Sequence, residues 1–265
     1  FVVLFVISAV CFCERIIIDS DSTMLLKFGD VDDDLSILWS LASPGSVELL
    51  GVTSTFGNSV TQRTHFDAVE LLNDAGASIK AYYGADYFKR DLSTPTNASR
   101  FLIETIEHSP EPVTILCIGA ATNVAAAIYQ KPSISSNIKQ LIMNGGDISN
   151  PPFNELLKST INYYFDIEAT SFLFNSAIPK VIMPIQVMIQ SAFTITQVEQ
   201  LSKCTDSVAY GSIDRIYKHQ QMEVNKTLNS FGSYPEYTPG GFFPWDVYPS
   251  AYLTNRELFG QAVQY

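Results

Sequence analysis

The sequence predicts an α/β protein built on an open, mostly parallel β-sheet flanked by helices. Short apolar runs alternate with segments of helical period along the chain, and this alternation is typical of βαβ units. Such apolar runs are typical of strands buried on both faces of a parallel sheet. With 265 residues, of which 46% are hydrophobic and 16% charged, the chain can bury one substantial core.

Five apolar runs predict the strands of this sheet, and three segments of helical period predict helices that connect them. The strands are expected at residues 16–18, 47–53, 113–118, 140–143 and 180–184. The helices are expected at residues 35–42, 64–74 and 123–129. Because a parallel sheet binds ligands at the carboxyl ends of its strands, the polar residues that follow each run are the candidate site.

The first thirteen residues are almost wholly apolar and are followed at once by Glu14. The run is shorter than the roughly 20 residues that a membrane-spanning helix needs. We interpret residues 1–13 as a secretory signal peptide and residues 14–265 as the mature domain, with no stable membrane span once the leader is removed. A buried first strand is the alternative. Asn97 and Asn225 stand in N-glycosylation triplets, which agrees with a secreted or lumenal protein, the alternative being a cytoplasmic one.

Composition excludes two classes of partner. The net charge of -11 and the pI near 4.6 would repel a polyphosphate backbone, so we expect no nucleic acid as ligand. The three histidines have no cysteine or histidine partner nearby, so no zinc spacing is present.

Oxygen-bearing and amide side chains follow four of the predicted strands. The groups are Asp19-Ser20-Asp21 with Asp30 to Asp34, Thr53 to Asn58, Gly119 to Asn123, and Asn144 to Asp147. Near the C-terminus, Pro244-Trp245-Asp246 stands at the start of another helix-like segment. Oxygen ligands that converge from several strand ends indicate a site for a hard cation.

The aspartates near the N-terminus are too many to be explained by helix capping. An N-cap or a favourable interaction with the helix dipole would account for Asp32 or Asp33 alone. Like charges this close raise one another's pKa unless a cation neutralises them. Calcium accepts 6–8 oxygen ligands and suits such a cluster. An acidic, solvated loop is the alternative for this segment taken alone.

These residues also form an ordered pattern that resembles a known family. Asp19-Ser20-Asp21, the pair Asp32-Asp33 and a helix that ends at Ser43-Pro44 are similar to the N-terminal motif of inosine-uridine preferring nucleoside hydrolases. The stretches Val47 to Asn58 and Ile115 to Asn123 resemble two later strands of that family. Asn154, Asn162 and Asp246 follow in the same order, so the resemblance covers nearly the whole mature chain.

The resemblance implies calcium-dependent hydrolysis of the N-glycosidic bond of ribonucleosides, which releases ribose and a free nucleobase. It makes Asp21 both the general base for the attacking water and a calcium ligand. The other implied calcium ligands are Asp33, Asp246 and the carbonyl of Thr122. The implied ribose-binding residues are Asp32, Asn58, Asn154 and Asn162. Since the family commonly forms dimers or tetramers, a homo-oligomer is also implied.

Four features depart from the family pattern. Residues 22–31 form an insertion between Asp21 and the Asp32-Asp33 pair, so Asp30 is an alternative to Asp21. Thr160 replaces a glutamate on the 5′ side of the sugar. Trp245 replaces a histidine that protonates the leaving base in several members, and its ring would either stack on a purine or simply pack against the protein. The segment 86–97 is shortened.

Two other classes of function compete with this one. Asp19-Ser20-Asp21-Ser22-Thr23 after an apolar strand also fits the Asp-x-Asp-x-Thr signature of haloacid dehalogenase-like phosphatases, in which the first aspartate is the nucleophile. The insertion and the shortened segment favour a third class, a homologue that binds nucleosides without hydrolysing them. Asp32-Asp33 and Asp246 stay unexplained by the phosphatase signature.

Overall fold

A computed structural model of the chain describes residues 13–26, 29–149, 160–190, 193–194, 196–197, 200 and 241–261. Within these residues six strands form one sheet, and every neighbouring pair is parallel. The strands are β1 (Glu14–Ser20), β2 (Val47–Ser54), β3 (Ala81–Tyr83), β4 (Val113–Cys117), β5 (Ile138–Asn144) and β6 (Lys180–Met183). The sheet confirms the predicted fold class. It adds β3, whose three residues are too few to show a periodic pattern.

Helices cover the sheet. They are α1 (Asp32–Leu41), α2 (Thr61–Asp74), α3 (Asn97–His108), α4 (Thr122–Gln130), α5 (Ile161–Phe165), α6 (Ile167–Phe174), α7 (Ile185–Met188) and α8 (Tyr248–Thr254). A separate antiparallel pair joins β7 (Phe193–Thr194) to β8 (Gly241–Phe242). Within the described ranges, none of the helices combines the length and the apolar character needed to cross a bilayer.

Two apolar clusters lie on the two faces of the sheet. Ile16 and Ile18 of β1 belong to one cluster, which also contains residues of α1 and α2. Ile17 points to the other face and belongs to a cluster with residues of α3, α4 and α6. All three isoleucines are fully buried. A strand whose successive side chains enter opposite cores needs apolar residues at every position, and this explains the continuous apolar run.

The strand order fixes where a ligand can bind. The order is β3-β2-β1-β4-β5-β6. From β1 the chain adds β2 and β3 toward one edge of the sheet, and from β4 it adds β5 and β6 toward the opposite edge. β1 and β4 are hydrogen-bonded neighbours, with Asp19 opposite Cys117 near their carboxyl ends. In parallel sheets a crevice opens at this reversal of strand order and holds the ligand. Asp21 follows β1 directly at this point.

α1 begins three residues earlier than its hydrophobic period predicts. Asp32, Asp33 and Asp34 form its first turn rather than a preceding loop. The partial positive charge of a helix N-terminus favours carboxylates in the first turn, so this turn is helical despite its charge. The three side chains are fully buried. Acidic residues that appear solvated in the sequence therefore lie inside the protein.

Two sequence predictions fall outside the described residues. The leader at residues 1–13 lies there except for Cys13, which directly precedes β1. Asn154, which is expected to bind ribose, lies within residues 150–159, and these are also outside the described part of the chain. Both stay predictions.

Candidate active site

Three buried aspartates meet at the crevice beyond β1 and β4. One carboxylate oxygen from each of Asp32, Asp33 and Asp246 lies within 4.8 Å of the other two. Asp246 belongs to a short 3-10 helix, Trp245–Val247, immediately before α8. Its backbone amide donates to Asp32 Oδ2 at 3.2 Å, across 214 positions of sequence. The structure thus brings together Asp33 and Asp246, which were predicted to share a metal ion, and adds Asp32 to them.

Small polar residues let α8 approach α1 closely enough to deliver Asp246. The Ser250 hydroxyl lies 2.7 Å from that of Ser36 and 3.0 Å from that of Ser40. Ser250 also donates to the Ser36 carbonyl at 3.2 Å. All three serines are buried. The serines that stand one turn apart on α1 therefore form the contact surface for the helix that follows Asp246.

The electrostatics of the three aspartates calls for a cation. Burial raises the pKa of Asp32, Asp33 and Asp246 well above the ordinary value, and repulsion from neighbouring carboxylates raises it further. The ion pairs found in the described part of the chain all lie elsewhere. Buried carboxylates without a positive partner are expensive unless they are protonated or bind a metal ion.

Two asparagine side chains contact Asp246 and bring neutral oxygen atoms into its neighbourhood. Asn144 donates to Asp246 through Nδ2, while its Oδ1 is buried without a hydrogen-bond partner in the described residues. The Ile118 carbonyl accepts from Asn162 Nδ2 at 2.6 Å, and the same nitrogen lies 3.5 Å from Asp246 Oδ1. Carboxylate, amide and backbone oxygens without nitrogen or sulfur donors are the ligands of a hard divalent cation. The residues present therefore fit such an ion.

Thr122 lies at the start of α4, and its hydroxyl donates to Asp166 at 2.6 Å. The role of its carbonyl as a calcium ligand stays a prediction. A second main-chain oxygen, the Ile118 carbonyl after β4, is linked to Asp246 through Asn162 Nδ2, which contacts both.

Asp21 lies beside the three aspartates but outside their tight group. Its backbone amide donates to Asp33 Oδ1 at 3.0 Å, and its own Oδ2 accepts the Asn58 amide at 2.6 Å. Its Oδ1 is buried and has no hydrogen-bond partner among the described residues. Burial raises the pKa of Asp21 to about 8, although the Asn58 amide acts in the opposite direction.

Glycines border the Asp21 carboxylate on two sides. A Cβ at Gly57 would lie 2.0 Å from Asp21 Oδ2, and one at Gly119 would lie 2.8 Å from Asp21 Oδ1. Both distances are shorter than any ordinary contact, so only glycine leaves room for the carboxylate here. The turns after β2 and β4 therefore enclose Asp21 by their backbones.

The described residues near the two ends of the insertion after Asp21 contact each other. The Thr23 hydroxyl accepts the Asp30 amide at 2.9 Å and donates to the Asp30 carbonyl at 3.1 Å. A Cβ at Gly29 would lie 1.8 Å from the Thr23 carbonyl oxygen, so the two ends of the loop are in direct contact. Asp30 is hydrogen-bonded to Asp32 and half-buried. It therefore adjoins Asp32, while Asp21 keeps its own place next to Asp33.

The residues predicted to bind ribose surround this crevice where they are described. Asn58 is exposed, and its Nδ2 lies 3.3 Å from Asp33 Oδ2. Asn162 is half-buried and contacts the Ile118 carbonyl and the Asn144 carbonyl. The exposed Asn58 and the half-buried Asn162 thus approach the aspartates from β2 and α5 respectively.

Two residues that depart from the family pattern, Trp245 and Thr160, contact neighbouring parts of the protein, and the role of Trp245 toward a nucleobase stays a prediction. Trp245 is half-buried and its ring centroid lies 5.1 Å from that of Phe243, so it packs on its neighbour beside Asp246. The Thr160 hydroxyl accepts the Gly146 amide at 2.9 Å. Thr160 therefore supports the turn after β5 and brings no charge to the crevice.

A family comparison agrees with this geometry. A model described as "Inosine-uridine preferring nucleoside hydrolase" matches residues 16–265. The match includes β1, the acidic first turn of α1 and Asp246. The chain belongs to the inosine-uridine preferring nucleoside hydrolase family. The resemblance inferred from the ordered motifs is thereby confirmed.

Individual relatives of this nucleoside hydrolase family member are distant. It is 28% identical to "Probable uridine nucleosidase 1" of Oryza sativa subsp. japonica over 207 residues, 68% of this chain and 61% of the relative. It is 31% identical to an uncharacterized protein of Schizosaccharomyces pombe over 216 residues, 71% of this chain and 67% of the relative. The alignments thus span about two thirds of the relatives' length or less.

A solved structure shares the fold. The "Purine-Preferring Ribonucleoside Hydrolase from Gardnerella vaginalis" superposes with a TM-score of 0.74, covering 93% of this chain and 82% of that one at 21% identity. At this level of identity the likeness supports the fold alone. It agrees with the parallel sheet and its flanking helices.

The phosphatase alternative is wrong for this nucleoside hydrolase fold. Asp19, which would be the nucleophile, is fully buried. It accepts the Thr53 hydroxyl at 2.6 Å and the Asn123 amide at 2.8 Å, and burial raises its pKa to about 7. A nucleophile must reach its substrate, whereas Asp19 ties β1 to β2 and α4.

Proposed function

We propose that the chain is a calcium-dependent nucleoside N-ribohydrolase, which splits the N-glycosidic bond of ribonucleosides into ribose and a free nucleobase. The observation that supports this most is the buried group of Asp32, Asp33 and Asp246 at the reversal of strand order. Three carboxylates enclosed without a positive side chain are suited to one divalent cation. Family membership supplies the class of substrate.

Calcium suits the donor set better than zinc or magnesium. Asp33 and Asp246 would hold the ion together with Asp21 and the Thr122 carbonyl, and Asp32 belongs to the same carboxylate group. Zinc sites favour histidine and cysteine, and magnesium is rarely enclosed by protein oxygens alone. When bound, the cation supplies charge compensation and lowers the pKa of water in the crevice.

Asp21 is the residue that we assign as general base. Among the described residues its Oδ1 has no hydrogen-bond partner, while Oδ2 is held by the Asn58 amide. This arrangement fixes the plane of the carboxylate and leaves one oxygen to accept a proton from the attacking water. The backbone bond from Asp21 to Asp33 keeps base and cation site adjacent.

The remaining polar groups are assigned to the ribose. Asp32, Asn58 and Asn162 present carboxylate and amide groups that pair with adjacent hydroxyls, and Asn154 is predicted to join them. Buried polar groups left unpaired penalise sugars that lack those hydroxyls. The concentrated negative charge also favours the positive character that the ribose acquires as the glycosidic bond breaks.

The name of the Oryza sativa relative contains uridine, whereas that of the Gardnerella vaginalis structure contains purine. One assay therefore tests both the activity and the preferred nucleobase. Ribose release is measured from inosine, uridine and 2′-deoxyuridine, in protein freed of metal and in protein resupplied with calcium, magnesium or zinc. We expect release from a ribonucleoside that disappears on chelation and returns most strongly with calcium. Slow release from the deoxynucleoside is expected from the missing hydroxyl.

The same assay separates the competing function. Nucleoside binding by calorimetry without any ribose release would replace the hydrolase by a binding protein. Asp246→Asn is the matched variant, since it keeps the shape of the side chain and removes one charge from the cluster. We expect it to weaken calcium binding and ribose release together, whereas full activity in this variant would refute the cation site.

A further inference from the structure

Two buried aspartates lie behind the proposed active site and belong neither to its cation ligands nor to its ribose contacts. They are Asp34 on α1 and Asp67 on α2, and both are fully buried. Burial raises the pKa of Asp34, and the nearby Asp67 carboxylate raises it further.

The pair binds the backbone of the inserted loop. Asp34 Oδ2 accepts the amides of Thr23 and Met24, each at 3.2 Å. Asp67 Oδ1 accepts the next amide, that of Leu25, at 2.7 Å. Three consecutive backbone donors are thus satisfied by two side chains. Buried amides need such partners, and here strand or helix bonding does not provide them.

These bonds hold the part of the chain that follows the proposed base. Asp21 is two residues before Thr23, and Thr23 also clasps Asp30 at the other end of the loop. Asp34 stands next to Asp33 in the first turn of α1. The loop, α1 and α2 are therefore joined at one buried point, which is two residues along the chain from Asp21 and one residue from Asp33.

We infer that Asp34 and Asp67 are positioning residues that allow a chain with this insertion to keep Asp21 against Asp33. Without their carboxylates, three amides would lose their partners and the loop would exchange its buried conformation for a solvated one. Asp21 would then be followed directly by a mobile segment, and its carboxylate would no longer be held in one place. The inference rests on the proposed function only for the role given to Asp21, since the loop contacts are independent of any substrate.

Substitutions at Asp67 test this directly. Asp67→Ala removes the acceptor for Leu25 and the partner of Asp34, whereas Asp67→Asn retains an acceptor oxygen and adds an amide donor toward Asp34. Asp74→Ala removes an exposed carboxylate from the end of the same helix and serves as control. Asp67→Ser is a second truncation for the case that Asp67→Ala does not fold. Its hydroxyl keeps a polar group in the core but is too short to reach Leu25.

Two readouts are taken in the absence of nucleoside. Hydrogen exchange of segment 22–31 should become faster in Asp67→Ala or Asp67→Ser and stay slow in Asp67→Asn and Asp74→Ala. Calcium affinity by titration calorimetry should fall about 10- to 100-fold in the truncations, as for other residues that orient metal ligands, and return to near the parent value in Asp67→Asn. Unchanged exchange or unchanged affinity in the folded truncation would overturn the inference.

The kinetic consequence distinguishes positioning from general support of the fold. At saturating calcium, a misplaced base should lower kcat while KM for the ribonucleoside stays close to the parent value. A parent protein that binds calcium but releases no ribose would refute the proposed function and leave the exchange and affinity results to decide the inference. A fall in thermal stability with unchanged exchange in segment 22–31 would count against the positioning role.

Discussion

The Asp21 carboxylate combines a fixed oxygen with a free one in a space bounded by glycines. Oδ2 is held by the Asn58 amide, and Gly57 and Gly119 leave no room for a side chain beside it. This confinement lets the carboxylate keep one orientation although Oδ1 has no hydrogen-bond partner among the described residues. Asparagine has the same shape as aspartate and fits this space, so that substitution changes the chemistry of the side chain and not its packing.

Replacing Asp21 with asparagine should therefore isolate its proposed proton-accepting role. Asp21→Asn keeps the volume and an acceptor for the Asn58 amide but removes the base. We expect kcat for ribose release to fall by about 10²- to 10⁴-fold, the usual range for general-base catalysis, with a smaller change in KM. Asp91→Asn, at an exposed site, is the control. An Asp21→Asn enzyme with parental kcat would exclude Asp21 as the base.

Single residues show where sequence patterns succeed and where they fail. Asp33 and Asp246 could be identified because carboxylates at these positions of an ordered motif have a clear chemical use, and the structure brings them together. The Ile118 carbonyl, which accepts from Asn162 in the crevice, was not singled out, because a backbone carbonyl leaves no trace in the identity of its residue. Oxygen ligands from the main chain become visible only when the path of the chain is known.

The contact between α1 and α8 decides whether Asp246 reaches the other aspartates. The helices meet through three serines. The Ser250 hydroxyl lies 2.7 Å from that of Ser36 and 3.0 Å from that of Ser40. This close approach has no space for a larger side chain. The position of Asp246 is thus set by the size of a residue four positions away.

Enlarging Ser250 should separate the two helices. Ser250→Leu inserts a branched side chain into this contact, and such overpacking typically costs about 1–3 kcal/mol of folding free energy. We expect calcium affinity to fall by at least tenfold, because Asp246 moves with α8. Ser250→Ala, which loses about 1 kcal/mol of hydrogen bonding without adding volume, should bind calcium within a fewfold of the parent. Equal affinities for the two variants would disprove the coupling.

Elements with long patterns were predictable, whereas coupling between elements was not. The isoleucine run of β1 and the helical period of α2 appear directly in the sequence. The attachment of the insertion to α2 depends on Asp67, which stands 42 positions from its partner Leu25. On a helix of unknown orientation an aspartate is expected to face solvent, so its burial could not be foreseen.

Across the whole molecule, the unbalanced carboxylates should make metal-free stability depend on pH. The pKa of Asp19 is about 7 and that of Asp21 about 8, against 3.8 for an ordinary aspartate. From pH 3.8 up to about pH 7 for Asp19 and about pH 8 for Asp21, the folded state holds protons that the unfolded chain has released. The free energy of unfolding therefore decreases as the pH rises through this range. Metal-free protein should consequently be more stable at pH 5 than at pH 8.

Melting temperatures of dialysed protein between pH 5 and pH 8 provide the measurement. With excess calcium the decline should disappear, because the cation binds the ionised carboxylates and stabilises the folded state by mass action. Magnesium at equal concentration serves as the comparison. A metal-free protein that becomes more stable toward pH 8 would contradict the electrostatic account of the cluster.

The span of 214 positions between Asp32 and Asp246 also bears on biosynthesis. A ribosome delivers Asp32 and Asp33 first, and all six strands of the main sheet emerge before Asp246 does. Partially made chains can therefore pair their strands while still lacking the means to capture the ion. Competence arises only once Asp246 has been added, so chains terminated before it would be inert, however well their sheets had formed.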